Sequence, residues 1–407
     1  MRLAFLLHLY QPSTQDEETL RLIATTSYIP LVKKIKSTKN LRLSLDIPLS
    51  LLEQMDKHGY KAWIDDVKDL VTAGRVELTG SGAYHPLLPK LPTAFVEKQV
   101  ILNEYALGYY FGSKIGFEGE PAITVKNLAG FFPPELAVSD SLMYTLAELG
   151  YKWVAVNEFA VPASMQYSVI LHSGCSVRLV CRNAGLSNLL SFKRNLVTDD
   201  FMNMLSACGD SVIVMDGEFF GHHYKDGIVL FDKLLDEFAQ NGVELTTVSD
   251  FVNNVSVSPT VDSIRESTWS SRFDGDNFVA YPLWENKENP VLSALWELYN
   301  TVLKEYAPQP AATDNDKLGN CALWNTNVVT ELVGDVISHK VSTDFLVMRV
   351  LYSDQFWWLS KEFVFDKMLN NPYEARKAIV MYEEIIKSIN SEDISLAVEK
   401  TKRLLKV

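Results

Sequence analysis

Short aliphatic and β-branched runs alternate with longer amphipathic stretches through the first two-thirds of the chain, and this alternation constrains the fold more than any single residue. The runs are Leu3 to Leu9, Leu41 to Ile47, Val76 to Thr79, Ala129 to Phe132, Trp153 to Asn157, Val177 to Cys181, Val212 to Met215 and Val243 to Thr247. Between them, Thr19 to Lys36, Ala94 to Phe111, Ser141 to Leu149 and Ile228 to Asn241 repeat apolar residues at helical spacing. Parallel strands need crossovers of about this length. The pattern therefore predicts an α/β fold, a parallel sheet with helices outside it, and the number of runs suggests closure into a barrel.

The alternation stops near Val255 to Ser263, where Ser, Pro and Thr collect. Pro290 to Tyr306, Ser353 to Lys367, Pro372 to Ile389 and Ser391 to Leu405 then read as helices, with Ala307 to Asp316 as a connecting loop. The implied organisation is a barrel over residues 1–258 and a helical domain over 259–407.

Composition excludes several functions. Lys and Arg total 38 against 51 Asp and Glu, a net charge of −13, and such a surface repels phosphate backbones and anionic lipid. Nucleic acid is not an expected partner. No apolar run reaches the roughly 18 residues that cross a bilayer. The start of the chain is apolar as far as Leu7, but His8 and Tyr10-Gln11-Pro12 interrupt it before any small-residue cleavage site, so it reads as a strand rather than a signal peptide. Cys175, Cys181, Cys208 and Cys321 show no CxxC spacing and read as reduced thiols of a cytoplasmic protein.

The ionisable residues that stand out follow the strands. In a parallel barrel, chemistry collects at the C-terminal strand ends, where loops vary above a rigid floor. Four ends carry polar clusters: His8 to Pro12, Gly80 to Pro86, Phe131 to Glu135, and Met215 to His223. Glu135 follows a rigid Pro-Pro step and Asp216 follows the apolar run Val212 to Met215. Two carboxylates on separate strand ends are the equipment of glycoside cleavage. The same residues also suit structural roles, Glu135 in the first turn of a helix beginning near Ala137 and Asp216 in a turn with Gly217, and spacing alone does not decide between them.

Taken in order, Tyr10-Gln11-Pro12, Tyr84-His85-Pro86, Pro134-Glu135 and Asp216-Gly217-Glu218-Phe219-Phe220-Gly221-His222 resemble the hallmark segments of glycoside hydrolase family 57, with Val248-Ser249-Asp250-Phe251 a weaker final element. Tyr10 stands where the family usually has histidine, and Asp250 where it often has glutamate. The resemblance implies a distorted seven-stranded (β/α) barrel followed by a C-terminal helical domain that contributes to the substrate cleft. It also implies a retaining mechanism on α-linked glucans, with Glu135 as nucleophile, Asp216 as general acid/base, and no cofactor or metal. His8, Tyr10, Gln11, His85 and His222 would contact sugar, joined by Trp269 and Trp357, whose flat faces suit glucose rings. The Ser-Asp-x-x-Trp-Trp segment at Ser353 to Trp358 is similar to one in the family's helical domains. His223 suits a supporting place, and Glu218 a cap or salt bridge. As acid, Asp216 is expected to hold the proton while Glu135 is ionised.

An amylase-like hydrolase and an α-glucan transglycosylase would share these carboxylates. A metal-dependent polysaccharide deacetylase or a noncatalytic glucan-binding protein are more distant alternatives. Against the deacetylase, no His-x-x-x-His pair is present.

Overall fold

The computed structural model describes residues 1–112, 128–162, 168–172, 176–255, 259–306, 343–364 and 367–406. Each expected strand forms within a residue or two of its expected place: β1 (Arg2–His8), β2 (Leu43–Asp46), β3 (Val76–Leu78), β4 (Gly130–Phe131) and β5 (Trp153–Val156). After β6 (Ser168–His172), β7 (Ser176–Cys181), β8 (Ser211–Asp216) and β9 (Glu244–Thr246) complete the expected series. β1 lies at the centre of one sheet. It pairs in parallel with β8 along its length, with β2 over Leu6 to His8, and with β9 over Arg2 to Ala4. β2 continues to β3. A second sheet runs β4, β5 and β7 in parallel, then the antiparallel β6 and the short β10 (Thr260–Val261).

Backbone hydrogen bonds join the two sheets on both sides. The Gly80 N–H donates to the Gly130 carbonyl and the Phe132 N–H to that of Gly80, each at 2.9 Å, while the Asn183 N–H reaches the Val212 carbonyl at 2.8 Å. The result is a barrel-like parallel sheet with helices around it.

Side-chain alternation explains why β1 is buried on both faces. Leu3, Phe5, Leu7 and Leu9 join the large apolar cluster under the helices. Ala4 and Leu6 enter a smaller one with Phe132, Trp153, Ala155, Val180, Val212 and Val214, the filling of the barrel. Each fully buried Leu or Phe contributes about 1.5–3 kcal/mol to folding.

Several elements depart from expectation. Thr19 to Lys36 divides into helices Glu17–Ile23 and Ile29–Ser37 around a π-helical turn, Ala24–Tyr28. Helices Leu49–Lys57, Lys61–Thr72, Ala184–Phe192 and Thr198–Cys208 were not anticipated, nor was Thr343–Val350. The region after residue 258 is not wholly helical: Arg272–Asp274 and Asn277–Val279 form an antiparallel hairpin, β11 and β12. Ser353 to Lys367 is not one helix. It makes a single turn, Asp354–Trp357, and then a second hairpin, β13 (Phe363–Val364) with β14 (Lys367–Met368). Lys361, at φ +62°, leaves the right-handed helical region and ends the run. Helices Pro290–Glu305, Tyr373–Ile389 and Glu392–Leu405 form as expected. Ala307 to Asp316, Cys175 and Cys321 lie outside the described residues, and Cys181 is buried. Among the described residues no helix is long and apolar enough to cross a membrane.

Candidate active site

The alternation that fills the barrel also aims the site. His8 follows Ala4 and Leu6 on the inner face of β1, and Asp216 follows Val212 and Val214 on that of β8. On β2, Leu43 and Leu45 point outward, which turns Asp46 inward beside His8. The His8 Nδ1–H donates to Asp46 Oδ2 at 2.7 Å. Burial disfavours the His8 cation, but the hydrogen bond and charge of Asp46 outweigh it and hold the ring above its ordinary pKa of 6.5. His8 Nε2 is buried with no protein partner, so a donor is presented to the barrel mouth.

Glu135 is placed by strained backbone. The Pro133-Pro134 step leads into a 3₁₀ turn in which Glu135 sits at φ +61° and Leu136 at φ +45°. Such a conformation in two successive non-glycine residues costs energy that the surroundings must offset. Glu135 does not cap the next helix, which begins at Asp140 and is capped by Ser139, whose Oγ accepts from the Leu142 N–H. Instead its carboxylate is buried against the C-terminal segment. The Ser353 hydroxyl donates to Glu135 Oε1 at 3.0 Å and lies 3.1 Å from His85 Nδ1, which is itself 3.7 Å from the same carboxylate oxygen. The Tyr10 hydroxyl donates to Asp354 Oδ2 at 2.7 Å, and Trp357 Nε1–H to Asp354 Oδ1 at 3.3 Å.

Aromatic rings form the wall between these groups. Tyr10 stacks on His85 with centroids 3.9 Å apart, His85 on His8 at 4.9 Å, and His8 on Phe132 at 4.6 Å. Trp269 meets His8 edge-on at 6.4 Å, and its backbone N–H donates to the Glu135 carbonyl at 3.1 Å.

Burial, reinforced by the charge of Asp354, pushes Glu135 up to about 8. Glu135 therefore favours its protonated form near neutral pH, the reverse of the expected ionised state, because it is buried beside Asp354. Burial likewise raises Asp354 to about 6, with the Tyr10 hydrogen bond working in the opposite direction. His85 is held well below 6.5, first by burial and then by the nearby His8 charge.

The opposite side of the mouth is built by glycines. A β-carbon at Gly217 would overlap the Leu9 side chain, and one at Gly221, where φ is +147°, would meet the Thr26 carbonyl. The π-helical turn fits this gap: Ser27 Oγ donates to the Gly217 carbonyl at 2.8 Å, and the Tyr28 hydroxyl donates to Glu218. Gln11 Nε2 is spent on Glu218 Oε1 at 3.1 Å and on the Tyr28 hydroxyl at 3.0 Å. His222 is half-buried with its ring 5.4 Å from that of His223, and burial followed by His223 lowers its pKa. It takes no part in the stacked array.

His8, Tyr10, His85, Glu135, Trp269 and Trp357 thus converge. Asp46, Ser353 and Asp354 belong to the same network and were not anticipated. The alternation Ser44, Asp46 at the end of a strand was the available signal for the first. The other two begin the segment from which only Trp357 had been singled out. Among the described residues, no three of His, Cys, Asp and Glu are grouped to hold a metal ion.

A barrel-like parallel sheet with carboxyls, histidines and stacked aromatics at its C-terminal mouth places the chain in the β/α class whose sites lie at that face. The model of glycosyl hydrolase family 57 matches residues 6–262, and the chain belongs to this family. Two curated relatives, alpha-amylases of Pyrococcus horikoshii and Pyrococcus abyssi, are 24% and 25% identical over 155 and 156 residues. Each match covers 38% of this chain, but only 22% and 21% of those proteins. The chain therefore spans about a fifth of the curated relatives it matches. Among solved structures, it is similar to a 4-alpha-glucanotransferase from Thermococcus litoralis, with a TM-score of 0.65, 15% identity, and 95% of this chain and 59% of the other covered. It is also similar to a GH57-type branching enzyme from Pyrococcus horikoshii, with a TM-score of 0.64, 14% identity, and 100% and 94% covered. These likenesses establish the fold.

Proposed function

We propose that the chain is a retaining glycoside hydrolase acting on α-1,4-linked glucans, with Glu135 as nucleophile and Asp216 as general acid/base. The observation that carries this reading is the setting of Glu135. Its carboxyl is held on a strained turn, buried, and fixed by Ser353, at the same barrel mouth as Asp216. In the first step a Glu135 oxygen bonds to the anomeric carbon while the bond to the leaving oxygen breaks and Asp216 protonates that oxygen. In the second, Asp216 takes a proton from water, the water oxygen bonds to the anomeric carbon, and Glu135 departs. His8, Tyr10, His85, Trp269 and Trp357 hold the sugar, with Gln11 and His222 bordering the site. In this reading seven of the parallel strands, β8, β1, β2, β3, β4, β5 and β7, form one distorted barrel within a catalytic region 1–258, with the parallel β9 paired to the start of β1. Residues 259–407 form the second domain, which supplies Ser353 and Asp354 to the cleft. We assign the protein to the cytoplasm, without nucleic-acid or membrane partners.

Names of relatives support the substrate class, and they include transferases as well as amylases. Incubation with maltooligosaccharides, followed by product analysis, separates the outcomes. Shorter products alone are expected. A ladder of longer α-1,4 chains would make the enzyme a glucanotransferase and new α-1,6 branches a branching enzyme. Absence of turnover on every α-glucan would defeat the reading.

A further inference from the structure

Three phenylalanines lie outside both apolar cores, where they are packed on one another at the loop end of the barrel. Phe159 follows β5, and Phe273 and Phe278 face each other across the β11–β12 hairpin. Their ring centroids are 5.2 Å apart for Phe273 and Phe278, 5.8 Å for Phe159 and Phe278, and 6.3 Å for Phe159 and Phe273. Phe273 is 51% exposed. The Arg265 guanidinium lies over two of the rings, 4.8 Å from Phe278 and 5.5 Å from Phe273, and the residue is exposed. Phe159 and Phe278 are half-buried beside Phe273, so the cluster offers a small aromatic surface at the loop end instead of packing into either core.

Its position fixes the occupant. The Phe159 N–H donates to Asn157 Oδ1 at 2.9 Å, and Asn157 Nδ2 donates to the carbonyl of Leu136, the neighbour of Glu135, at 3.0 Å. The Arg265 N–H donates to the Ala160 carbonyl at 2.9 Å, and the segment after it pairs Ser267 with Val138 before Trp269 reaches Glu135. On its far side the hairpin is tied to the C-terminal segment by Arg272, whose two guanidinium nitrogens meet Glu362 at 3.0 and 3.2 Å. The patch is therefore continuous with the nucleophile's own loop. The exposed ring of Phe273, for the apolar side of a pyranose, beside a guanidinium that donates to hydroxyls, matches a saccharide chain.

We propose that Phe159, Phe273, Phe278 and Arg265 form a remote binding platform for α-glucan chains extending beyond the units held at Glu135. This rests on the substrate reading above and adds chain-length selection to it.

The test uses the full chain with Glu135→Gln, so that binding is read without turnover, and titrates maltotriose and maltoheptaose by calorimetry. Adding Phe273→Ala should weaken maltoheptaose about five- to tenfold, the loss expected for one aromatic contact, with a smaller effect on maltotriose. Phe273→Trp should restore maltoheptaose binding, and Phe192→Ala, an exposed phenylalanine on the helix Ala184–Phe192, should change neither affinity. Equal losses on both sugars, or none, would overturn the platform. So would failure of the unmutated platform to bind maltoheptaose. If wild type turns over maltooligosaccharides while Phe273→Ala binds them normally, the platform fails and the activity stands. If wild type turns over no α-glucan but Phe273 still governs maltoheptaose binding, the platform stands and the activity fails.

Discussion

Replacing each carboxyl by its amide removes a different step. Glu135→Gln takes away the attacking oxygen, so activity should collapse by several orders of magnitude on every substrate, whatever the leaving group. Asp216→Asn removes a proton donor. An aryl glycoside that needs little protonation should keep its first step, starch should not, and azide should speed release of the sugar. Equal losses without azide rescue would reverse or remove these roles. The neighbours of Glu135 make a second residue-scale prediction. Because the nucleophile must be ionised, the acid limb of kcat/KM follows Glu135, which burial and Asp354 raise to about 8. Asp354→Asn removes a negative charge and should move that limb to lower pH, whereas Ser353→Ala removes a hydrogen bond to the carboxylate and should move it higher. A limb that stays in place in both variants would show that another group sets it.

At the scale of elements, the turn bearing Glu218 and His222 closes on its own backbone, with the His222 and His223 N–H groups donating to the Glu218 carbonyl at 3.0 and 2.9 Å, and it also packs against the π-helical turn through Gly217 and Gly221. Gly221→Ala would force a side chain onto the Thr26 carbonyl at a left-handed φ, and should cost about 1–3 kcal/mol in thermal or denaturant unfolding. Unchanged stability would mean the two turns are not locked together. Elements of this kind also mark how far the sequence can be read. The strands were legible because burial on both faces makes most of them near-continuous apolar runs, and the order of motifs at their ends pointed to Glu135 and Asp216. The π-helical turn was not, since Ala24 to Tyr28 carries no periodicity of its own and is shaped by Gly217 and Gly221, far along the chain. Ser353 bonds Glu135 across 218 positions, which no local pattern encodes. The helix expected over Ser353 to Lys367 failed because its apolar residues serve different ends: Phe356 stacks on Trp296 and Leu359 is buried in the core, whereas Trp357 donates to Asp354 at the site and the chain then turns into a short hairpin.

For the whole molecule, the buried mouth makes stability depend on pH. Glu135, ordinarily near 4.5, is held up to about 8, and Asp354 rises from 3.8 to about 6. Burial also raises Glu53, Glu77 and Glu218. A carboxyl with a raised folded pKa keeps a proton that the unfolded chain has released, so its contribution is lost as pH climbs through the interval between the two values. His8 acts in the same direction, stabilising fully below 6.5 and losing that effect as pH passes its raised folded pKa. His85 opposes them only below 6.5, where the unfolded chain would take up a proton that the buried ring refuses. Between 6.5 and 8 these terms therefore share one sign, and the net charge of −13 adds self-repulsion as the last carboxyls ionise. The melting temperature should fall across that window in wild type. Glu135→Gln cannot ionise and should show a shallower fall, with its largest advantage at the alkaline end. A wild-type profile that is flat or rising between pH 6.5 and 8, or a variant as steep as wild type, would mean that Glu135 is solvated in the free protein and that the closed mouth forms only around substrate.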